Sequence, residues 1–485
     1  MKQAVVLLLA LVTLTGCDRR RDDGPVVVSA IGSPPTHADP SRKALSGPDK
    51  LLIDSTAQGL VSFDAAGQIT PGLAERWIII DDGMSYIFRL REAEWSNGLR
   101  VTAAEVAAIL RRQIASGSRN PLKPYLSAID EIVEMTPQVL EVRLTRPRPE
   151  LLTVFAQPEL AIFRAGRTGG TGPFRVSRER LDGVILRPAF DPVRLALDDV
   201  EEPSPEQSVE LIGEKASRAI IRFLERRSDM VSGGTFDDWP LLASTGVAPT
   251  NLRIDSGLGL FGLAITNRNG FLSEPENRVA LSQLIDRSAL VAAYAPGWNA
   301  SERILPTQLD SAAPPTAPAW SSLPLSDRQK GARDQIARWR TSQVKPVELR
   351  IALPDGPGST ILFGFVGAAF RSAGIVSKRV SLDAPSDLRL IDAIAPSDSA
   401  RWYLANGCQP CSPAAGKLID EARDAPDLSA RAQKIAEADS ALTQDGAYIP
   451  IARPLRWSLV ALRLSRWQAN ARTAHPLNLL RAATK

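Results

Sequence analysis

Residues 347–353, 359–372 and 376–380 read as a strand, a helix and a second strand, and this segment restricts the chain more than any other. A crossover of that length joins parallel neighbours within one sheet through a right-handed connection. The run Val26-Val27-Val28 with Ile31 is apolar without alternation and stops at Gly32-Ser33-Pro34, the pattern of a strand covered on both faces. An α/β chain is expected. Its 485 residues are enough for two or three domains with cores of their own.

A different pattern fills residues 46–167. Phe63 to Ile69 reads as a hairpin with Gly67 in its turn, and residues 77–80 and 86–90 as a second hairpin around Asp81-Asp82-Gly83. Thr102 is placed to cap a helix, with Glu105 three residues on to reach back to the cap and Val106, Ile109 and Leu110 on its apolar face. Strands at 129–134 and 139–144 complete a small α+β unit. Beyond it, Gly169 to Gly172 leads into a strand, a setting without the following helix that phosphate binding needs. Residues 219–223 and 229–231 read as strand material and 260–267 as a strand. Residues 276–290 form one helix with Val279, Leu281, Leu284 and Ile285 inward. A Pro/Ala/Ser-rich loop at 306–326 precedes a helix at 326–342, and a helix at 428–443 leads to a last strand at 447–451.

The N-terminus has the marks of an export signal. Lys2 is followed by an apolar run from Ala4 to Val12, too short to span a membrane, and then by Leu14-Thr15-Gly16-Cys17. This ending resembles the lipobox of bacterial lipoproteins, which implies cleavage after residue 16, acylation of Cys17 and a membrane anchor. Asp18 resembles the signal that retains such proteins on the inner membrane. Residues 17–24 would then be a charged tether.

The hydrophobic fraction of 44% and charged fraction of 23% suit a soluble globular chain. A formal net charge of +4, spread evenly, gives no footprint for nucleic acid. Only two histidines occur, His37 and His475, which leaves little room for imidazole catalysis or a histidine metal site. Both read as surface or packing residues. No cofactor motif is present. Cys408-Gln409-Pro410-Cys411 leaves three readings open: a local disulfide, a redox pair, or half of a zinc site. Of these an oxidising compartment favours the disulfide.

Nine landmarks together resemble family 5 of the bacterial extracellular solute-binding proteins, the dipeptide and oligopeptide receptors of ABC importers. They include Ile69-Thr70-Pro71-Gly72-Leu73-Ala74-Glu75-Arg76-Trp77, Asp81-Asp82-Gly83-Met84-Ser85-Tyr86, Trp95-Ser96-Asn97-Gly98 and Gly446-Ala447-Tyr448-Ile449-Pro450. The resemblance implies a two-lobed fold of the type II periplasmic binding protein kind, with an additional α+β domain inserted in the first lobe. Lobe I would comprise 25–45, 168–250 and 456–485, the inserted domain 46–167, and lobe II 251–455. It further implies a non-enzymatic, monomeric receptor that is periplasmic and lipid-anchored, and that passes a small solute to an inner-membrane ABC permease.

The ligand would sit between the lobes, against loops that follow strands. The candidates are Ser33, Thr235, Phe236, Asn267, Arg268, Trp402, Tyr403 and Asn406. In peptide-binding members the corresponding tryptophan is followed three residues later by an aspartate that pairs with the ligand's amino terminus. Trp402 fits that tryptophan, but the third residue on is Ala405, and no acid occurs before Asp420. An unpaired buried ammonium costs on the order of several kcal/mol. The expected ligand, whether peptide-like, an oligosaccharide or another solute, is therefore uncharged or is an anion reaching Arg268. A sensor or chaperone on the same fold is the alternative, and a hydrolase is disfavoured by the sparse histidines.

Overall fold

A computed structural model of the protein describes residues 24–95, 97–164, 170–189, 204–341 and 346–481. The leader expected at 1–16, Cys17 and all of the expected tether except Gly24 lie outside the described residues.

Two large sheets organise the molecule. The first has seven strands in the order Leu252–Asp255, Arg456–Val460, Met230–Thr235, Val26–Ile31, Val209–Glu214, Gly183–Pro188 and Phe174–Glu179. Val26–Ile31 lies parallel to both neighbours, and the outer pairs are antiparallel. Its lack of alternation has the expected cause: Val26, Val28 and Ala30 are buried, and so is Ser29, whose hydroxyl donates to Glu214 at 2.7 Å. The second sheet runs Val376–Val380, Glu348–Ala352, Leu388–Ile394, Gly259–Ile265 and Tyr448–Ala452. The crossover expected from the sequence is there. Glu348–Ala352 and Val376–Val380 are parallel neighbours, joined through the helix Pro357–Arg371.

The α+β unit is inserted between strands of the first sheet. Its four-stranded antiparallel sheet is ordered Ala74–Ile80, Ser85–Leu90, Val139–Leu144, Ile129–Thr136, and the helix Ala103–Ile114 packs against it. Phe88, Val106, Leu110, Leu140 and Phe155 belong to a core of its own. The chain passes between the two large sheets at 256–258 and again at 453–455. The strands on either side of these connections are paired with each other, so the two connections run side by side. Near them the sheets share one core, in which Val231, Trp457 and Leu459 meet Phe261, Leu263 and Ile449.

Four local expectations differ from the structure. Residues 219–223 lie in a helix, Ala216–Leu224, because Ala219 and Ile220 face the core while Ile221 is 53% exposed; a short apolar run does not distinguish the two periods. The helix expected at 276–290 is two, Pro275–Leu284 and Arg287–Ala292. Ile285 is extended between them and Asp286 caps the second by accepting from the Ala289 N–H. Thr102 caps its helix as expected, accepting from the Glu105 N–H, but the Glu105 carboxylate does not reach back to the cap and instead accepts from the Trp95 indole at 3.0 Å and pairs with Arg164. Residues 402–407, expected as a loop, belong to the helix Ala400–Gly407, whose first N–H is taken by Asp310 Oδ1 at 2.7 Å.

Candidate functional site

A cavity of about 640 Å3 lies between the two large sheets and under the inserted unit. Its size is that of a small-molecule pocket. One wall is the first sheet, with Ile31, the Ser232-Gly233-Gly234 stretch of the strand Met230–Thr235, and Trp457. A Cβ on Gly234 would stand 2.2 Å from the Trp457 ring, so glycine is what lets that indole lie across the strand. The helix Gly47–Thr56 supplies Lys50, Leu51 and Asp54. The inserted unit adds Tyr125 and Glu159, the second sheet Asp392 to Ile394, and the helix Ala400–Gly407 adds Trp402 and Asn406.

Hydrogen bonds close the sides of this space. Asn406 Nδ2 donates to the Tyr125 hydroxyl at 2.9 Å, and Gln157 Nε2 to the Pro396 carbonyl at 2.7 Å. Further out, Arg431 reaches Glu150 at 3.0 Å and Arg146 reaches Asp424 at 2.9 Å. Across the floor Arg456 of the first sheet donates to Asp392 of the second at 2.8 Å. Burial pushes the Asp392 carboxyl up, and the Arg456 charge offsets part of that rise.

The charged groups on the wall are almost all matched. Lys50 pairs with Glu159 at 2.7 Å, His475 with Asp255 at 3.0 Å, Arg456 with Asp392, and Arg472 with Asp398. Asp54 is the exception. Among the described residues its carboxylate has no hydrogen bond and no cation, and burial alone pushes it up from 3.8 to about 6.

Of the eight residues singled out from sequence, Trp402 and Asn406 line the cavity. Trp402 is 5% exposed and meets Tyr403 edge-on at 5.0 Å, while Tyr403 faces the core. Phe236 is buried against Phe261 at 4.8 Å. Thr235 donates to Asp238, Asn267 donates to Asp387, and Ser33 is exposed beyond the end of its strand. Arg268 holds Asp445 through two bonds of 2.7 Å and is not on the cavity wall, so it offers no charge to an anion there. The sulfurs of Cys408 and Cys411 are bonded to each other. His475 is buried and stacked on Trp467, and His37 meets the Thr56 hydroxyl at 2.9 Å. Sequence reasoning missed Asp54, Tyr125 and Trp457. The first of these had a signal, an acid in the last turn of a helix opened by the Ser46–Asp49 capping box.

A family model described as bacterial extracellular solute-binding proteins, family 5 middle, matches residues 68–332. The periplasmic oligopeptide-binding protein OppA of Haemophilus influenzae is 22% identical over 362 residues, 68% of this chain and 66% of that one. The probable deoxycholate-binding periplasmic protein YgiS of Escherichia coli is 30% identical over 146 residues, so that the chain spans only 27% of the length of that relative. The crystal structure of Haemophilus influenzae OppA in complex with the peptide RPPGFSPFR superposes with a TM-score of 0.78 at 18% identity, covering 94% of this chain and 99% of that one. The murein tripeptide binding protein MppA of Escherichia coli gives 0.78 at 17% identity, over 93% and 97% of the two chains. The unliganded open form of MppA gives 0.66 at 17% identity, over 94% and 96%.

Proposed function

Since the chain belongs to family 5 of the bacterial extracellular solute-binding proteins, whose members are binding proteins rather than enzymes, we propose that it is the receptor of an ABC importer. In this role it captures one small solute in the cavity between its lobes and delivers it to an inner-membrane permease. It works as a monomer in the periplasm, held to the inner membrane by lipid on Cys17. The observation that carries the reading is the cavity itself, whose walls come from both large sheets and whose sides are closed by bonds between separate units. Asn406 to Tyr125, Arg431 to Glu150 and Arg456 to Asp392 are contacts that parting of the lobes would break. A solute that adds contacts only in the shut arrangement shifts the population towards it. The paired connections at 256–258 and 453–455, beside the shared core, are placed to act as the hinge.

The test is a thermal-shift screen of the soluble chain starting at Asp18 against peptides, sugars, opines and metal chelates. A cognate solute at 100 times its dissociation constant adds about 2.7 kcal/mol. A screen in which no class of solute raises the melting temperature counts against the receptor reading and in favour of a sensor or chaperone that engages a protein partner.

A further inference from the structure

Given that the cavity is the solute site, we propose that its ligand carries one positive charge, an ammonium or guanidinium, which docks on Asp54. The ligand expected from sequence was uncharged or anionic. The structure removes its anion receptor, because Arg268 is already forked onto Asp445 and stands off the wall.

The charge balance of the wall carries the inference. Glu159, Asp255 and Asp392 each face a basic partner supplied by another segment, and Arg472 is taken by Asp398. Among the described residues of the wall this leaves one carboxylate with neither a hydrogen bond nor an ion pair, on Asp54. Its own helix offers nothing to neutralise it. The hydroxyls of Ser55 and Thr56 are turned back onto the Leu51 and Leu52 carbonyls, and Lys50, one turn earlier, is engaged with Glu159. Asp54 also lies in the last turn of the helix Gly47–Thr56, which has no basic residue there, so the negative end of the helix dipole adds to the unfavourable field. A carboxylate kept inside a cavity, against a helix C-terminus and without a partner, is costly to the folded chain unless a cation arrives from outside. That burial pushes its carboxyl up to about 6 agrees with this position. The other walls present Trp402, Trp457 and Tyr125, which would cover the apolar body of such a ligand.

The test is isothermal titration of the full chain with solutes offered in pairs that differ only in the cationic group. These are trialanine and N-acetyl-trialanine, galactosamine and N-acetylgalactosamine, and N-butylguanidine and N-butylacetamide. The expected result is binding by a cationic member and not by its neutral partner, and a loss of about thirtyfold or more in Asp54→Asn. A second readout needs no variant. At pH 6, titration in two buffers of different ionisation enthalpy should show protons released as the cation forces Asp54 to ionise, and none released at pH 8. Equal binding by a neutral partner, or binding that Asp54→Asn leaves unchanged, overturns the role of Asp54 while leaving the cavity as a solute site. Absence of binding by every solute here and in the wider screen overturns both.

Discussion

If Asp54 is held ready for a cation, replacing it by asparagine should stabilise the empty protein. The isosteric amide keeps the side chain's shape and removes the charge. The carboxyl is raised from 3.8 to about 6 in the folded chain. A rise of that size is worth roughly 3 kcal/mol at most, and water in the open cavity reduces it to about 1–3 kcal/mol. The sign follows from linkage: a carboxyl raised on folding favours the folded state fully below its unfolded value, and that contribution is lost as pH climbs through 6. Wild type and variant should therefore unfold together at pH 4 and diverge between pH 4 and 7. Unfolding entropy near 2 cal/mol/K per residue over 485 residues makes 1 kcal/mol worth about 1 °C. Differential scanning fluorimetry at pH 8 should place Asp54→Asn about 1–3 °C above wild type. A variant that melts below wild type at pH 8, or by the same offset at pH 4 and 8, would show that Asp54 is a structural anchor and refute the reasoning.

Three further outcomes follow from other contacts. Asp445→Ala strands Arg278, which is fully buried and donates to both the carboxylate and the backbone of Asp445, so thermal melting should fall by about 3–5 kcal/mol, or roughly 3–5 °C. Burial alone would push the Asp445 carboxyl up, but Arg268 and Arg278 hold it below the usual range. The stabilisation it gives should be present at neutral pH and disappear as acid titrates it, which a melting series down to pH 2 would record. Glu150→Gln weakens the Arg431 contact between the inserted unit and the second lobe by about 1.5 kcal/mol, and should weaken solute affinity about tenfold by favouring the open arrangement. Cys17→Ser should move the protein from the membrane fraction to the soluble periplasmic fraction and abolish incorporation of labelled palmitate.

The frame of the fold was legible where a pattern is local. The uninterrupted valines at 26–28, the 347–380 crossover and the hairpins of the inserted unit each announce themselves within a few residues, and each was found close to its expected place. Segments whose period is ambiguous were misread, as with the five residues 219–223 that turned out helical. The site was harder to see because its residues come from many separate segments of chain. Arg268 looked available because Asp445 lies 177 positions away, and Phe236 looked like a loop residue because Phe261 is on the other sheet. Trp402 was found from a family motif, but the unpartnered carboxylate lining the same cavity belongs to a helix that sequence reasoning passed over. Which carboxylate lacks a partner is a property of the folded charge balance, and no spacing along the chain expresses it.

The central claim is that two lobes shut on a small solute in the space between them. Small-angle scattering of the protein, before and after saturation with whichever solute raises its melting temperature, tests this directly. The radius of gyration should fall on addition, and the bound profile should match the shut coordinates. An identical profile in both states, from a solute that nonetheless binds tightly, would contradict it.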